Sequence, residues 1–289
     1  MRQTTTSAMR ATTLAAVAAL HFLATGSHAQ TPTVPAPAHA SGLFSLPDGV
    51  RITLGAQVIM QPKYEGSSSY EVSAVPVFKL TPLGGGAGGG LIKSFDAKSL
   101  DDISFGLFEF GKLEIGPLFG YRLGREEKDS PRLRGLGDVE GGLIAGAFAK
   151  YDFGPLFLRA SFHQRLTGDD TGFLVRLATG REFRVTRQIT VKADAYLDIA
   201  DDAYMSAYFG VSQVQSMRSG LRPFDAGAGL KSAGVMLGTE YEVIPNWRLL
   251  ASAGYTRLFG DAASSPIVES PDRFEARLGA SRSFDWRMR

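Results

Sequence analysis

The chain has 289 residues, 31 basic against 29 acidic for a net charge of +2, and no cysteine. That balance offers no polyelectrolyte surface for a nucleic acid. The missing cysteines exclude a disulfide framework, a thiolate metal site and a lipidated leader. Mean hydropathy is near zero, which a soluble protein and a membrane barrel share, because alternating apolar and polar residues average away.

Residues 1–29 read as a cleaved secretory signal: Arg2 and Arg10 precede the apolar run 11–24, and Ser27-His28-Ala29 supplies a small-residue cleavage site. The run is shorter than the ~18 apolar residues of a spanning helix, and no later stretch reaches that length. Residues 30–45 are read as a flexible linker, since 30–42 are rich in proline and alanine without periodicity.

From residue 46 onward the chain is read as β-structure. The clearest segment is 188–199, QITVKADAYLDI. Ile189, Val191, Ala193, Ala195, Leu197 and Ile199 alternate with Gln188, Thr190, Lys192, Asp194, Tyr196 and Asp198. A period of two gives a strand with one apolar and one wet face. Its length suits the ~9–11 residues of a membrane-crossing strand better than the ~5–6 of a globular one.

The same pattern predicts strands over 51–60, 71–80, 102–110, 113–123, 139–152, 156–166, 173–185, 203–211, 226–243, 247–259 and 274–286. Pro76 requires a bulge or a locally unpaired position. Arg282 falls on an apolar parity, which fits only near a membrane interface or with a bulge that resets the phase. Residues 84–90, GGGAGGG, lack the Gly-Lys-Ser/Thr ending of a phosphate loop and are read as a loop or sharp bend. The mixed charges of 124–138, Glu126 and Glu127 among them, are read as a solvated loop, and 212–224 as another. The resulting expectation is an all-β, transmembrane antiparallel up-and-down barrel of about 12 strands, at roughly 20 residues per strand and connection. A soluble sandwich is the competing architecture, disfavoured by long strands whose apolar parities carry many small residues.

Site chemistry is sparse. Beyond the signal the histidines are His39, in the linker, and His163. Ser161 shares a strand face with His163, but same-face neighbours stand ~7 Å apart, too far for a direct hydrogen bond without bending. Histidine is too scarce for a metal cluster, so no catalytic residue, metal or cofactor is assigned. The candidate functional residues are the charges on polar parities, which would cost ~2–4 kcal/mol each at mid-membrane and should therefore face the lumen. They are Arg159, Arg165, Arg176, Glu182, Arg184, Lys192, Asp194, Asp198, Arg273, Glu275 and Arg277. Register decides whether they form a plug of ion pairs or line an aqueous path. Tyr64, Tyr70, Tyr121, Tyr151, Tyr204, Tyr208, Tyr241, Trp247 and Tyr255 are candidates for interfacial girdles.

Several segments carry a family resemblance: Pro62-Lys63-Tyr64-Glu65-Gly66-Ser67, Gly120-Tyr121-Arg122, Gly124-Arg125-Glu126-Glu127, Gly135-Leu136-Gly137-Asp138-Val139 and Gly146-Ala147-Phe148. Later come Tyr208-Phe209-Gly210-Val211-Ser212, Gln215-Ser216, Ser219-Gly220-Leu221, Trp247, Tyr255-Thr256-Arg257-Leu258, Gly260-Asp261-Ala262-Ala263 and Ser264-Ser265-Pro266-Ile267-Val268. In this order and spacing the chain resembles the MipA/OmpV family (MltA-interacting protein) of outer-membrane proteins. The resemblance implies a non-enzymatic outer-membrane barrel of a Gram-negative bacterium, without cofactor. It also implies a scaffold role, with a murein lytic transglycosylase and a penicillin-binding synthase as partners. Other members resemble pores for small solutes or surface antigens and adhesins, which stand as alternatives.

Overall fold

The computed structural model describes residues 49–83, 94–168 and 172–287. The chain divides into two units, residues 1–40 and 41–289. The expected signal peptide, the linker and the glycine-rich stretch 84–90 lie outside the described residues.

Among the described residues, thirteen strands form one antiparallel sheet. They are β1 (Gly49–Pro62), β2 (Tyr70–Leu83), β3 (Ser94–Ser99), β4 (Asp102–Gly106), β5 (Phe108–Phe110), β6 (Leu113–Arg122), β7 (Gly142–Asp152), β8 (Phe157–Arg165), β9 (Phe173–Arg184), β10 (Ile189–Ala200), β11 (Gly229–Ile244), β12 (Trp247–Leu258) and β13 (Asp272–Arg287). Strands β4 and β5 flank Leu107 and both pair with β6, so they are two halves of one interrupted strand. The count is then twelve, a curled membrane-barrel sheet. The order runs β2-β1-β13-β12 and on down to β6-β4-β3, with β1 paired to β13 from Gly49↔Arg287 to Met60↔Ala276. Pro76 sits on β2, an edge strand among the described residues, where a residue without an N–H is tolerated.

The sheet is inverted relative to a soluble protein. Val72 is 69% exposed and Leu278 and Trp286 67%, whereas Arg165 is 1% and Asp198 2% exposed. Apolar side chains crowd the outside and charges the inside, which is the distribution that lipid outside and a polar lumen require. Arg282 stays on the outer face without a phase reset. Its guanidinium lies 5.5 Å from the Trp247 ring and 4.9 Å from the Phe284 ring, held between aromatic faces next to the β11–β12 turn. That turn is a two-residue link in which Asn246 takes φ 70°, a left-handed conformation asparagine tolerates.

Two local expectations are corrected. Residues 203–211 are not a strand: α1 spans Asp202–Phe209. Tyr204, Met205, Tyr208 and Phe209 recur at helical spacing and all four are buried, while the Asp201 side chain caps the helix by accepting from the Tyr204 N–H at 2.9 Å. Within 212–224, read as a loop, α2 spans Gln213–Ser219, opened by a Ser212/Gln215 capping box and ended by Gly220 at φ 75°. A third helix, α3, spans Gly260–Ser264. The short strand β3 takes the place of the strand expected at 203–211, so the strand number agrees for a compensating reason.

Candidate functional site

The long connections gather at one end of the sheet and pack into a cap. Residues 63–69, 123–141, 201–228 and 259–271 supply two small apolar cores. One joins Tyr204, Met205, Tyr208 and Phe209 of α1 to Leu174, Leu258 and Ala262. The other joins Tyr64, Leu133, Leu136, Val211 and Ile267. Polar contacts tie each connection to another: Tyr64 Oη donates to the Ile267 carbonyl at 3.1 Å, Arg125 to the Tyr208 carbonyl at 2.7 Å, and Ser265 Oγ to the Phe209 carbonyl at 2.6 Å. Arg132 donates to the Pro266 carbonyl and Gln215 to that of Leu136. Glu126 and Glu127 serve this architecture: Glu127 accepts from the Gly137 N–H, and Glu126 forms an exposed pair with Lys128.

Beneath the cap, one inserted residue re-aims a cation. Strand β10 meets β11 with Asp198 opposite Ser232 but Ile199 opposite Leu230, so Lys231 is a bulge. The regular alternation of β11 would send Lys231 into lipid with Val235 and Leu237. The bulge instead buries both Lys231, at 4% exposure, and Ser232. Lys231 Nζ donates to Glu65 at 2.6 Å and lies 3.7 Å from Asp198, which holds Arg176 at 2.7 and 2.9 Å. Burial alone would raise the Glu65 carboxyl, but Lys231 and Arg273 outweigh it and hold it below the usual carboxylate range. Tyr204 of α1 offers its ring to Lys231 and to Arg122, at 5.2 and 4.8 Å.

A second buried cluster lies along β8. Arg159 makes a bidentate pair with Asp102, at 2.6 and 2.8 Å, and stands 4.8 Å over the Phe148 ring. The backbone at Asp101 lies so close to β6 that a Cβ on Gly120 would come within 2.6 Å of it, so glycine there is a requirement of packing. The expected separation of Ser161 and His163 is corrected: Ser161 Oγ lies 3.0 Å from His163 Nε2. Both side chains lean together because Nδ1 is anchored 3.1 Å from the Asp101 carbonyl and Arg159 donates to the hydroxyl at 3.3 Å. With Nδ1–H facing a carbonyl, Nε2 is the acceptor and the serine hydroxyl the donor. The order resembles a nucleophile and base, yet His163 is wholly buried and Ser161 3% exposed, which leaves a substrate no approach. Arg165 is likewise sealed, donating to the carbonyls of Thr167 and Glu140.

The other half of the inner face is wetter. Lys192 is shared by Glu240 at 2.7 Å and Glu182 at 3.7 Å, with side chains 37%, 29% and 59% exposed. At the cap end of β13, by contrast, Glu275 is 12% exposed, accepts from Arg277 at 2.6 Å and stands 3.6 Å from Arg273. Asp194 is exposed beside Gly180, and Arg184 is exposed opposite Thr190. Among the described residues no group of His, Asp and Glu is placed to hold a metal ion. Of the expected girdle, Tyr70, Tyr121, Tyr151, Tyr241 and Trp247 are exposed, whereas Tyr64, Tyr204 and Tyr208 belong to the cap.

The profile of the family described as MltA-interacting protein MipA matches residues 54–284. The chain belongs to this family. Most segments that carried the resemblance, from Tyr64-Glu65-Gly66 to Pro266-Ile267-Val268, are the cap-forming connections. The MipA match and the inverted sheet together make this an outer-membrane barrel protein. Among solved structures it is similar to an outer membrane channel from Pseudomonas putida F1, with 14% identity, 87% of this chain and 100% of that one covered, and a TM-score of 0.39. The translocator domain of the autotransporter NalP from Neisseria meningitidis gives 10% identity, 82% and 88% coverage and a TM-score of 0.40. The NanC porin gives 8%, 81%, 100% and 0.38. No curated protein sequence matches the chain.

Sequence reasoning missed Glu65, Asp102, Arg122 and Lys231. A signal existed for Lys231, a lysine on the lipid parity of its strand that only a bulge can rescue. Asp102 carried none, because its partner is 57 residues away and on a non-neighbouring strand.

Proposed function

We propose that this barrel is a closed, non-enzymatic scaffold that presents its short-turn end to murein enzymes of the periplasm. A lytic transglycosylase is the first partner and a penicillin-binding synthase the second. The observation that carries the reading is the cap: four connections and a buried ion-pair cluster occupy the loop half of the barrel. A protein whose work is conduction would keep that route hydrated. The family description supplies the transglycosylase as partner class. Barrels of this kind place long loops outside and short turns in the periplasm, so the partner would meet turns such as 185–188 and 245–246, or residues 30–45. The inward charges, from Arg159 to Arg277, are assigned to bracing the wall. Residues 1–29 are assigned to export, with mature protein beginning at Gln30.

The test pairs two measurements on protein extracted from outer membranes. In a planar bilayer the intact barrel is silent, and immobilised barrel retains a purified lytic transglycosylase. Steady ohmic conductance without enzyme retention would replace the scaffold with the solute-pore reading, which the wetter turn half would then serve.

A further inference from the structure

We infer that the outer wall carries a specific site for a phosphate-bearing glycerolipid, one acyl chain lying over β10 and the phosphate held by Arg181. The outer face has a groove of about 640 Å³ where β9 to β12 run side by side. Register explains it. Ala195 lies between Thr179 and Val235, and Ala193 between Arg181 and Leu237. Two methyl groups on one strand leave a furrow beneath the ridge of Val235 and Leu237, each 56% exposed. Leu156 borders the other side. On a membrane-facing wall the occupant of an apolar furrow is an acyl chain.

Charge selects which lipid. Arg181 is an exposed arginine on this outer parity, three residues before the end of β9, so roughly 10 Å along the strand from the short turn. Other outward arginines are supported: Arg257 pairs with Asp272 at 2.7 Å, and Arg282 sits between two rings. Arg181 has the Phe183 ring at 4.5 Å and, among the described residues, no carboxylate at ion-pair distance. A guanidinium at headgroup depth, continuous with an acyl furrow, is complementary to phosphate, which it grips in bidentate fashion. The short-turn end places this lipid in the periplasmic leaflet.

The experiment strips the full-length mature barrel of lipid in mild detergent, titrates phosphatidylglycerol and counts bound lipid by native mass spectrometry. Wild type takes up one lipid at the lowest concentrations. Arg181→Gln weakens that event roughly tenfold or more, as loss of a charged contact should, whereas Arg282→Gln leaves it unchanged. The double variant Ala193→Leu/Ala195→Leu, with folding verified by heat-modifiable migration, fills the furrow and also loses the lipid. Inorganic phosphate does not displace it, which separates a lipid site from a free-anion site. Equal uptake by wild type and Arg181→Gln overturns the proposal, as does displacement by phosphate alone.

Discussion

Two regions of the barrel interior use the same chemistry in different solvents. Along β8, Arg159 and Asp102 are 2% and 1% exposed and meet in a dry cluster. Near the turns, Lys192 and Glu240 are 37% and 29% exposed and meet in partial water. The distances are alike, 2.6 and 2.7 Å. The lesson is that geometry does not set the energetic stake: a buried charge left without its partner has no water to fall back on, and an exposed one does.

The largest test of that contrast is single removal of one partner. Arg159→Met, which strands Asp102, is expected to cost about 3–5 kcal/mol in urea unfolding from vesicles, against at most about 1 kcal/mol for Lys192→Met. Arg159→Met with Asp102→Leu should recover much of the loss, since two apolar groups need no partner. Equal costs for Arg159→Met and Lys192→Met would erase the distinction between the dry and the wet region. Next in size is Ser161→Ala, which leaves His163 Nε2 without a donor in a sealed site; about 1–3 kcal/mol is expected by the same assay.

A smaller effect is read through pH. Glu65 titrates below its ordinary 4.5 in the folded cap. A depressed carboxylate contributes stability that is complete above its unfolded value and is lost as pH falls through the folded one. Protection of the α1 amides, measured as hydrogen exchange relative to the intrinsic rate at each pH, should therefore be high at pH 7 and fall as pH drops below 4.5. In Glu65→Gln that protection should be lower at pH 7 and nearly independent of pH across that window. The smallest effect belongs to Lys128, which pairs with Glu126 in full solvent on the cap surface; Lys128→Ala should leave the unfolding midpoint where it was.

How much of this was legible depended on whether the signal was local. The period of two in 188–199 reports directly on β10, because neighbouring residues alone decide which face each side chain takes. The helix in 203–211 has an equally local signal, at a different period: Tyr204 with Tyr208 and Met205 with Phe209 keep a spacing of four, and Asp201 caps them. The cap and the Arg159–Asp102 pair were out of reach. They join residues from connections and non-adjacent strands, and a list of inward parities says which charges are available without saying which meet.

The pairing of β1 with β13 has a consequence for how the molecule is assembled. Every other neighbouring pair joins strands close in sequence, but Arg51 meets Asp285 across 234 residues. Bringing such distant segments together costs roughly 3 kcal/mol more chain entropy than closing a ten-residue turn. The meander from β3 to β13 can zip hairpin by hairpin, while the β1–β2 hairpin must wait for a completed partner. Docking of that hairpin is then the last event, and the penultimate species is a nearly finished sheet with a long unpaired edge on β13, the stage at which an assembly factor or a competing strand would have most to gain.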